Sequence, residues 1–296
     1  MEYRNLGNTG WAVSTLGFGC MSLTGSKEEN IRLLSEAVAG GINFFDTADL
    51  YEKGENEKLV GQALKPFRKD IFLATKAGNQ WRADGSGWDW NPRRDYILSC
   101  AEQSLERLQT DYIDLYQLHG GTIEDNIDET IDAFETLKQQ GKIRHYGISS
   151  IRPNVIREYV NRSSIESVMV QYSLLDRRPE EAVLPLLKEH NKGVLVRGAL
   201  AQGLLINKPA KDYVGYTTES VEEIQLQVKQ FAADNQITGQ QLALGYVWSN
   251  PAVTSVVAGI RTKEQLQQLL AITPGVVKDL TELLQKVPAI FYEQHR

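Results

Sequence analysis

Asp46, Tyr51, Lys76 and His119 each stand where a short apolar run ends. Phe44-Phe45 precedes Asp46, with Tyr51 five residues later; Phe72-Leu73-Ala74-Thr75 precedes Lys76; Asp114-Leu115-Tyr116-Gln117-Leu118 precedes His119. Together these types compose a tuned general acid. A free phenol has a pKa of about 10 and is a poor proton donor at neutral pH. A nearby ammonium favours the phenolate, and a carboxylate beside the ammonium keeps it charged and in place. An imidazole at the phenol accepts, relays or orients the proton. Such an acid protonates a developing alkoxide, a contribution of roughly 10²–10⁴ in rate. Protonating an oxygen while its carbon is attacked is what hydride reduction of a carbonyl requires. No side chain supplies a hydride, so a cofactor must. Each residue alone has an ordinary explanation, such as a salt-bridged lysine or a turn-forming aspartate. Four complementary types at neighbouring strand ends are hard to obtain by chance.

For these groups to meet, the chain must deliver strand ends to one rim. Apolar or β-branched runs recur at residues 15–19, 42–46, 71–75, 113–118, 145–149, 167–171, 193–197 and 254–258. Between them lie segments of 3.6-residue period. Residues 28–39 align Ile31, Leu34 and Val38; residues 93–108 align Ile97, Cys100, Ala101, Ser104, Leu105 and Leu108; residues 125–140 align Ile127, Ile131, Phe134 and Leu137. Eight strands alternating with helices predict an α/β fold, a (β/α)8 TIM barrel forming a single domain over residues 1–296, with its chemistry at the carboxyl ends of the strands. Residues 1–11, with Gly7 and Gly10 as turn signals, predict a short N-terminal β-hairpin that plugs one end. Extra helices are predicted near the C-terminus, at 221–235, 239–249, 263–271 and around 280–290, and the short tail after them is expected to add little to a pocket.

The rival architecture is a doubly wound sheet. Gly17-Phe18-Gly19-Cys20-Met21-Ser22 nearly matches the dinucleotide fingerprint, and Asp46 ends the next strand, where a ribose-binding acid would stand. But Ser22 replaces the third glycine. The next helix starts near Lys27, too late for its N–H groups to face a pyrophosphate. The barrel is therefore favoured.

Composition narrows the classes. The 296 residues are 42% hydrophobic and 24% charged, ordinary for a globular chain with a full core. The charge balance, 32 − 38 = −6, speaks against a nucleic-acid partner. Two cysteines, Cys20 and Cys100, exclude a disulfide framework and fit a reducing compartment; buried packing is the expected role of Cys20. The start MEYRNLGNTG has no apolar signal core and no run reaches membrane length, so a cytoplasmic location is expected. A small-molecule carbonyl compound is the expected partner, with no metal.

These residues in their contexts resemble the aldo-keto reductase family. The matching stretches are Gly41-Ile42-Asn43-Phe44-Phe45-Asp46-Thr47-Ala48-Asp49-Leu50-Tyr51, Leu73-Ala74-Thr75-Lys76, Ser104-Leu105-Glu106-Arg107-Leu108, Asp111-Tyr112-Ile113-Asp114-Leu115 with His119, Ile143-Arg144-His145-Tyr146-Gly147-Ile148-Ser149, Leu200-Ala201-Gln202-Gly203-Leu204-Leu205, and 256–265. The resemblance implies a barrel that binds NADPH, less often NADH, without a Rossmann motif. It implies Tyr51 as proton donor, tuned by Lys76 and Asp46, with His119 orienting the carbonyl or relaying the proton. It also implies Ser149, Ser150 and Gln171 at the nicotinamide carboxamide and Gly19 and Met21 at its ribose. Gly198, Leu200 and Gln202 would cover the pyrophosphate. Gly259, Arg261, Gln265 and Gln268 would meet the adenosine end, where the Arg261 guanidinium suits a 2′-phosphate.

Two departures accompany the match, besides Ser150 where the family commonly has Asn. Arg197 replaces the usual aromatic beside the nicotinamide, where its guanidinium would stack on the ring, draw an acidic substrate, or form an internal salt bridge. Leu269 stands where an adenine-contacting Asn is frequent. Trp81, Trp88 and Trp90, in the loop after Lys76, would line an apolar substrate wall or pin that loop; Tyr213 and Tyr216 mark a second loop. The reading is a reversible NADPH-dependent carbonyl reductase. The alternatives are a regulatory subunit that binds NADPH with little turnover, and a barrel isomerase or lyase.

Overall fold

Gly7 and Gly10, both at positive φ (53° and 77°), turn the chain between two short antiparallel strands, β1 (Tyr3–Asn5) and β2 (Ala12–Ser14). The computed structural model describes residues 1–277 and 279–296. After the hairpin come β3 (Leu16–Gly19), α1 (Lys27–Ala39), β4 (Phe44–Asp46), α2 (Glu55–Leu64) and β5 (Phe72–Ala77). A second antiparallel pair follows, β6 (Asn79–Trp81) and β7 (Trp88–Trp90). The chain continues through α3 (Arg94–Leu108), β8 (Ile113–Leu118), α4 (Ile127–Gln139), β9 (Ile143–Ser149), α5 (Pro153–Arg162), β10 (Ser167–Gln171), α6 (Val183–Glu189) and β11 (Gly193–Arg197). It closes with α7 (Thr218–Asp234), α8 (Gly239–Ser249), β12 (Val253–Gly259), α9 (Lys263–Leu270) and α10 (Thr281–Lys286). β3, β4, β5, β8, β9, β10, β11 and β12 are parallel and close on themselves as an eight-stranded barrel. The sequence-based (β/α)8 architecture is what the chain adopts, and the doubly wound alternative is excluded.

The helices begin where the sequence caps them. Ser26 and Glu29 form a reciprocal capping box at α1, and Thr238 and Gln241 form another at α8. Asn126, Thr217 and Thr262 cap α4, α7 and α9 with their side chains. Three elements differ from the sequence reading. The final helix stops at Lys286 because Pro288 forces Val287 into an extended conformation (φ −106°, ψ 101°). The hairpin extends to Ser14. The tryptophan-rich loop folds as the β6–β7 pair.

The barrel interior is layered. Phe44, Ala74, Leu115, Met169, Leu195 and Val257 form one buried cluster, closed below by Leu6 and Val13 of the hairpin. Trp11 stacks on Phe72 at 4.8 Å and meets the His145 ring edge-on. Side chains two apart on a strand share a face. Two residues beyond the apolar layer stand Asp46, Lys76, Gln117, Gln171, Arg197 and Gly259, so the floor of the mouth is apolar and its next layer is polar.

Gly61 shows how tightly the outer helices pack. A Cβ there would lie 2.4 Å from the Leu108 carbonyl oxygen. Gly-to-Ala inside a helix ordinarily stabilises by roughly 1 kcal/mol. Here Gly61→Ala is expected to destabilise by about 1–3 kcal/mol through overpacking, measured by urea denaturation; equal or greater stability would contradict this packing of α2 on α3.

Candidate active site

Lys76 lies within β5 and points its ammonium into the mouth, where it is 1% exposed. It donates to Asp46 Oδ2 at 2.7 Å, to the Thr47 carbonyl at 2.7 Å and to the Tyr51 hydroxyl at 3.3 Å. Burial alone would lower its pKa, but Asp46 and then Tyr51 outweigh that and raise it, so the amine stays protonated. For Asp46 burial pushes the carboxyl up, and Lys76 opposes it. The second Asp46 oxygen accepts from Gln117 Nε2 at 3.2 Å. Gln117 escaped the sequence reading because a lone glutamine inside a strand run carries no chemical signal; its two-residue offset from Leu115 would have placed it in this layer.

Backbone bonds fix the segment that carries Tyr51. Thr47 N donates to the Ala74 carbonyl and Asp49 N to the Lys76 carbonyl. After Tyr51 the chain makes a left-handed run through Glu52 (φ 50°), Lys53 (φ 56°) and Gly54 (φ 89°). Such non-glycine residues cost of order 1–3 kcal/mol each and need surroundings that hold them. Gly54 lies flat on the Arg107 side chain, where a Cβ would come within 2.6 Å. Arg107 in turn pairs with fully buried Glu57 at 2.6 Å, and Glu57 accepts from Thr75 Oγ1, the residue before Lys76. Beside this pair, burial and then the Glu57 charge raise the Asp49 carboxyl to about 7.

His119 follows β8 and turns an edge to the Tyr51 ring, with centroids 5.9 Å apart. Burial, then the Lys76 and Arg197 charges, lower its pKa to about 3. The ring is neutral, and its Nδ1 has no hydrogen-bond partner among the described residues. The Cys20 thiol is buried and pushed well up by that burial, the state of a packing residue. No group of three or more His, Cys, Asp or Glu among the described residues is placed to hold a metal ion.

Across the mouth, Gln171 and Arg197 face each other in register. Gln171 Oε1 accepts from Arg197 at 2.9 Å, and Gln171 Nε2 donates to Asp176 at 2.8 Å. Asp176 is fully buried and takes two bonds from Arg178, at 2.7 and 2.8 Å. The internal salt bridge considered for Arg197 is therefore made by Arg178. Ser149 is half-buried at the end of β9; Ser150 is buried and accepts from the Arg152 N–H.

The remaining cofactor candidates lie along the rim. Gly19 pairs in register with Asp46 and Gly259, and Met21 is exposed. Gly259 lies close to Ser22, whose Oγ would be 2.2 Å from a Cβ placed there. Gly198, at φ 74°, begins a turn in which Leu200 is half-buried and Gln202 is held by Lys211. At α9, Gln265 accepts from the Arg261 N–H, so it holds the turn that presents Arg261; Gln268 is exposed. Arg261, Thr262, Lys263 and Gln265 line a groove of about 540 Å³ with Thr24, Gly25 and Arg32. Lys263 is paired with Glu36, whereas Arg32 and Arg261 form no ion pair among the described residues. The Glu29 carboxylate lines the same groove and interacts with Arg32, which leaves Arg261 as the guanidinium suited to a phosphate-bearing group. A wider groove of about 840 Å³ adjoins it, past Lys53, Lys58 and Arg107; neither groove is lined by the four proton-transfer candidates.

The three tryptophans divide. Trp90 donates its indole N–H to the Asp125 carboxylate and packs against Gly78 and Gly120, which pins the β6–β7 pair to the loop after β8. Trp81 lies under the Lys53 ammonium at 5.1 Å, next to the Tyr51 turn, and Trp88 is exposed. Tyr213 and Tyr216 pair as a tight bridge. The tail lines neither groove, but it bonds to the segments around the mouth. Tyr216 donates to the Pro288 carbonyl, Arg177 to the Val287 carbonyl and Asn154 N to the His295 carbonyl, so the tail straps the start of α5 and the loops after β10 and β11.

Comparison with known proteins agrees on one family. The model of the aldo/keto reductase family matches residues 15–282. The uncharacterized oxidoreductase YqkF of Bacillus subtilis is 51% identical over 90% of both chains. The NADH-specific methylglyoxal reductase of Escherichia coli is 30% identical over 90% of this chain and 91% of its own. Among solved structures, the holo form of aldo-keto reductase AKR11C1 from Bacillus halodurans superposes with a TM-score of 0.92 at 46% identity, covering 100% of this chain and 99% of that one.

The neutral imidazole has a consequence for stability. The unfolded chain takes up a proton near pH 6.5, which folded His119 refuses until about 3. The stabilisation is therefore complete above the ordinary histidine pKa and lost as pH falls below it. Between roughly pH 7 and 5 this is worth about 2 kcal/mol. Chemical denaturation of the wild type and of His119→Leu across that range is expected to show a flatter pH dependence in the variant; identical slopes would contradict a buried neutral ring.

Proposed function

This chain belongs to the aldo/keto reductase family of oxidoreductases, which act on carbonyl compounds with a nicotinamide coenzyme, and from that premise we propose that it reduces an aldehyde or ketone to the alcohol using NADPH, with Tyr51 as the proton donor. The observation that carries the proposal is the Lys76 ammonium, which bonds the Asp46 carboxylate on one side and the Tyr51 hydroxyl on the other.

A reduced nicotinamide coenzyme, when bound, would supply the hydride. Tyr51 Oη gives its proton to the carbonyl oxygen as negative charge develops there, and Lys76 stabilises the phenolate left behind. Asp46, itself steadied by Gln117, keeps the ammonium charged and aimed. Neutral His119 holds the carbonyl oxygen near Tyr51 through a ring nitrogen. In the reverse direction the phenolate accepts the proton, so the same groups serve alcohol oxidation.

Ser149, Ser150 and Gln171 would hold the carboxamide, with Gly19 and Met21 at the nicotinamide ribose. The turn through Gly198, Leu200 and Gln202 would cover the pyrophosphate. Gly259, Arg261, Gln265 and Gln268 would meet the adenosine end. Arg261, which forms no ion pair among the described residues and shares its groove with Arg32, supports a 2′-phosphate and hence NADPH over NADH. Trp81, under Lys53 next to the Tyr51 turn, and its strand partner Trp88 would form an apolar wall for the substrate. The complete proton-transfer set speaks against a regulatory subunit with little turnover. No described helix is long and apolar enough to cross a membrane.

Coenzyme oxidation with a panel of aldehydes tests the donor. Tyr51→Phe is expected to lower turnover by roughly 10²–10⁴-fold while coenzyme affinity stays near wild type; unchanged turnover removes Tyr51 from the mechanism. Arg261→Leu is expected to raise the KM for NADPH about tenfold and leave that for NADH unaltered. Equal effects on both would remove Arg261 from phosphate recognition.

A further inference from the structure

Glu57 is a fully buried acid on α2 that takes no part in proton transfer, yet both of its oxygens are committed. Oε1 accepts from the Thr75 hydroxyl at 2.6 Å, and Oε2 accepts from Arg107 Nε at 2.6 Å. The two partners lead to two different members of the reacting set. Thr75 and Lys76 are neighbours on β5 and point to opposite faces, so Lys76 enters the mouth while Thr75 turns outward to the helices. Arg107, from α3, lies against Gly54, where a Cβ would come within 2.6 Å of its Cδ and 2.8 Å of its Nε. Gly54 ends the left-handed run that starts directly after Tyr51. Ahead of Tyr51, the segment is tied to β5 by Thr47 N, which donates to the Ala74 carbonyl, and Asp49 N, which donates to the Lys76 carbonyl. Behind Tyr51, Arg107 backs the turn, and Glu57 holds Arg107. Packing alone does not call for a charge here, because apolar residues of similar volume often serve as well as a buried ion pair. What the carboxylate adds is direction: each of its bonds has a defined geometry, and both end next to reacting groups.

We propose that Glu57 is a positioning residue for proton transfer, which sets the spacing between the Lys76 ammonium and the Tyr51 hydroxyl from the outer side of the barrel wall. The inference rests on the proposed function, in which Tyr51 gives the proton and Lys76 stabilises the phenolate. The distance that responds is the one from Lys76 Nζ to Tyr51 Oη. At 3.3 Å it is the longest of the three ammonium contacts, the others being 2.7 Å. It stands at the long end of hydrogen-bond lengths, so a small displacement of either backbone breaks it first. The proposed coenzyme contacts lie elsewhere on the rim. Such a displacement therefore slows the chemistry and leaves coenzyme affinity alone.

Two variants of the full-length chain separate the two arms. Glu57→Gln keeps an acceptor for Thr75 but turns an NH2 toward Arg107, which breaks the arm to the Tyr51 turn. Thr75→Val keeps the buried ion pair and removes the arm to β5. Single-turnover reduction of an aldehyde by NADPH in H2O and in D2O gives the rate and its solvent isotope effect, and quenching of tryptophan fluorescence gives the Kd of NADPH. Each variant is expected to slow turnover roughly 10- to 100-fold, the scale of loss when a reacting group is misplaced by about 1 Å. The solvent isotope effect is expected to rise, because the proton then limits the step. The Kd of NADPH and the KM of the aldehyde are expected to stay within about twofold of wild type, as for an interaction made only in the transition state. Wild-type turnover and isotope effect in either folded variant overturn the inference. A lower melting temperature with an unchanged isotope effect marks a role in stability only and overturns it as well. Should Glu57→Gln not fold, Thr75→Val decides by itself, since it leaves both charges of the buried pair in place. Failure of Tyr51→Phe to slow the reaction contradicts the proposed function instead.

Discussion

The ion pair between Lys76 and Asp46 is the constraint around which the mouth of this barrel is organised. Both groups are nearly out of water, at 1% and 5% side-chain exposure, and 2.7 Å apart. Burying two such charges costs several kcal/mol each, and the cost is offset only when geometry and additional hydrogen bonds are good. Here the ammonium uses the Asp46 carboxylate, the Thr47 carbonyl and the Tyr51 hydroxyl, and the carboxylate takes a further bond from Gln117. The third ammonium contact is the functional one. The carboxylate and the carbonyl take two of the three ammonium N–H groups, the third goes to a phenol, and that phenol faces a neutral imidazole.

The pair is held by strand register and by a brace behind it. Asp46 sits opposite Ala74, and Lys76 opposite Gln117. The strained turn after Tyr51 is pressed on Arg107, which Glu57 anchors, and Glu57 also holds Thr75. Substitutions in that brace, remote from any reacting atom, would act on the phenol through its backbone. On the opposite wall a second buried acid, Asp176, plays the corresponding part for Gln171 and Arg197. Two buried carboxylates thus orient two rims of one mouth.

Much of this was legible in the sequence, and the parts that were not share a cause. The eight strands could be read from apolar runs, and the four reacting types from their chemistry at the ends of those runs. Gln117 was hidden because an amide in a strand has no chemical signature until its neighbour across the barrel is known. Glu57 and Arg107 were hidden because acids at a helix start and a basic residue near a helix end look like solvated faces; their burial comes from α2 packing on α3. Trp90 could be read as pocket wall or as pin, and its contacts to Gly78, Gly120 and Asp125, each from a different stretch, show the pinning. The end of the last helix is set by Pro288, a residue that lies inside the 280–290 stretch expected to be helical. Local chemistry is visible in one dimension, whereas support from a neighbouring strand or helix is not.

The most direct test of the central claim is the single-turnover rate of hydride transfer in Lys76→Met, measured at saturating reduced coenzyme with coenzyme affinity determined in parallel. If the Lys76–Asp46 pair sets the proton donor, the rate falls by roughly 10²-fold or more while affinity stays within a few-fold of wild type. A variant that transfers hydride at the wild-type rate would contradict the account.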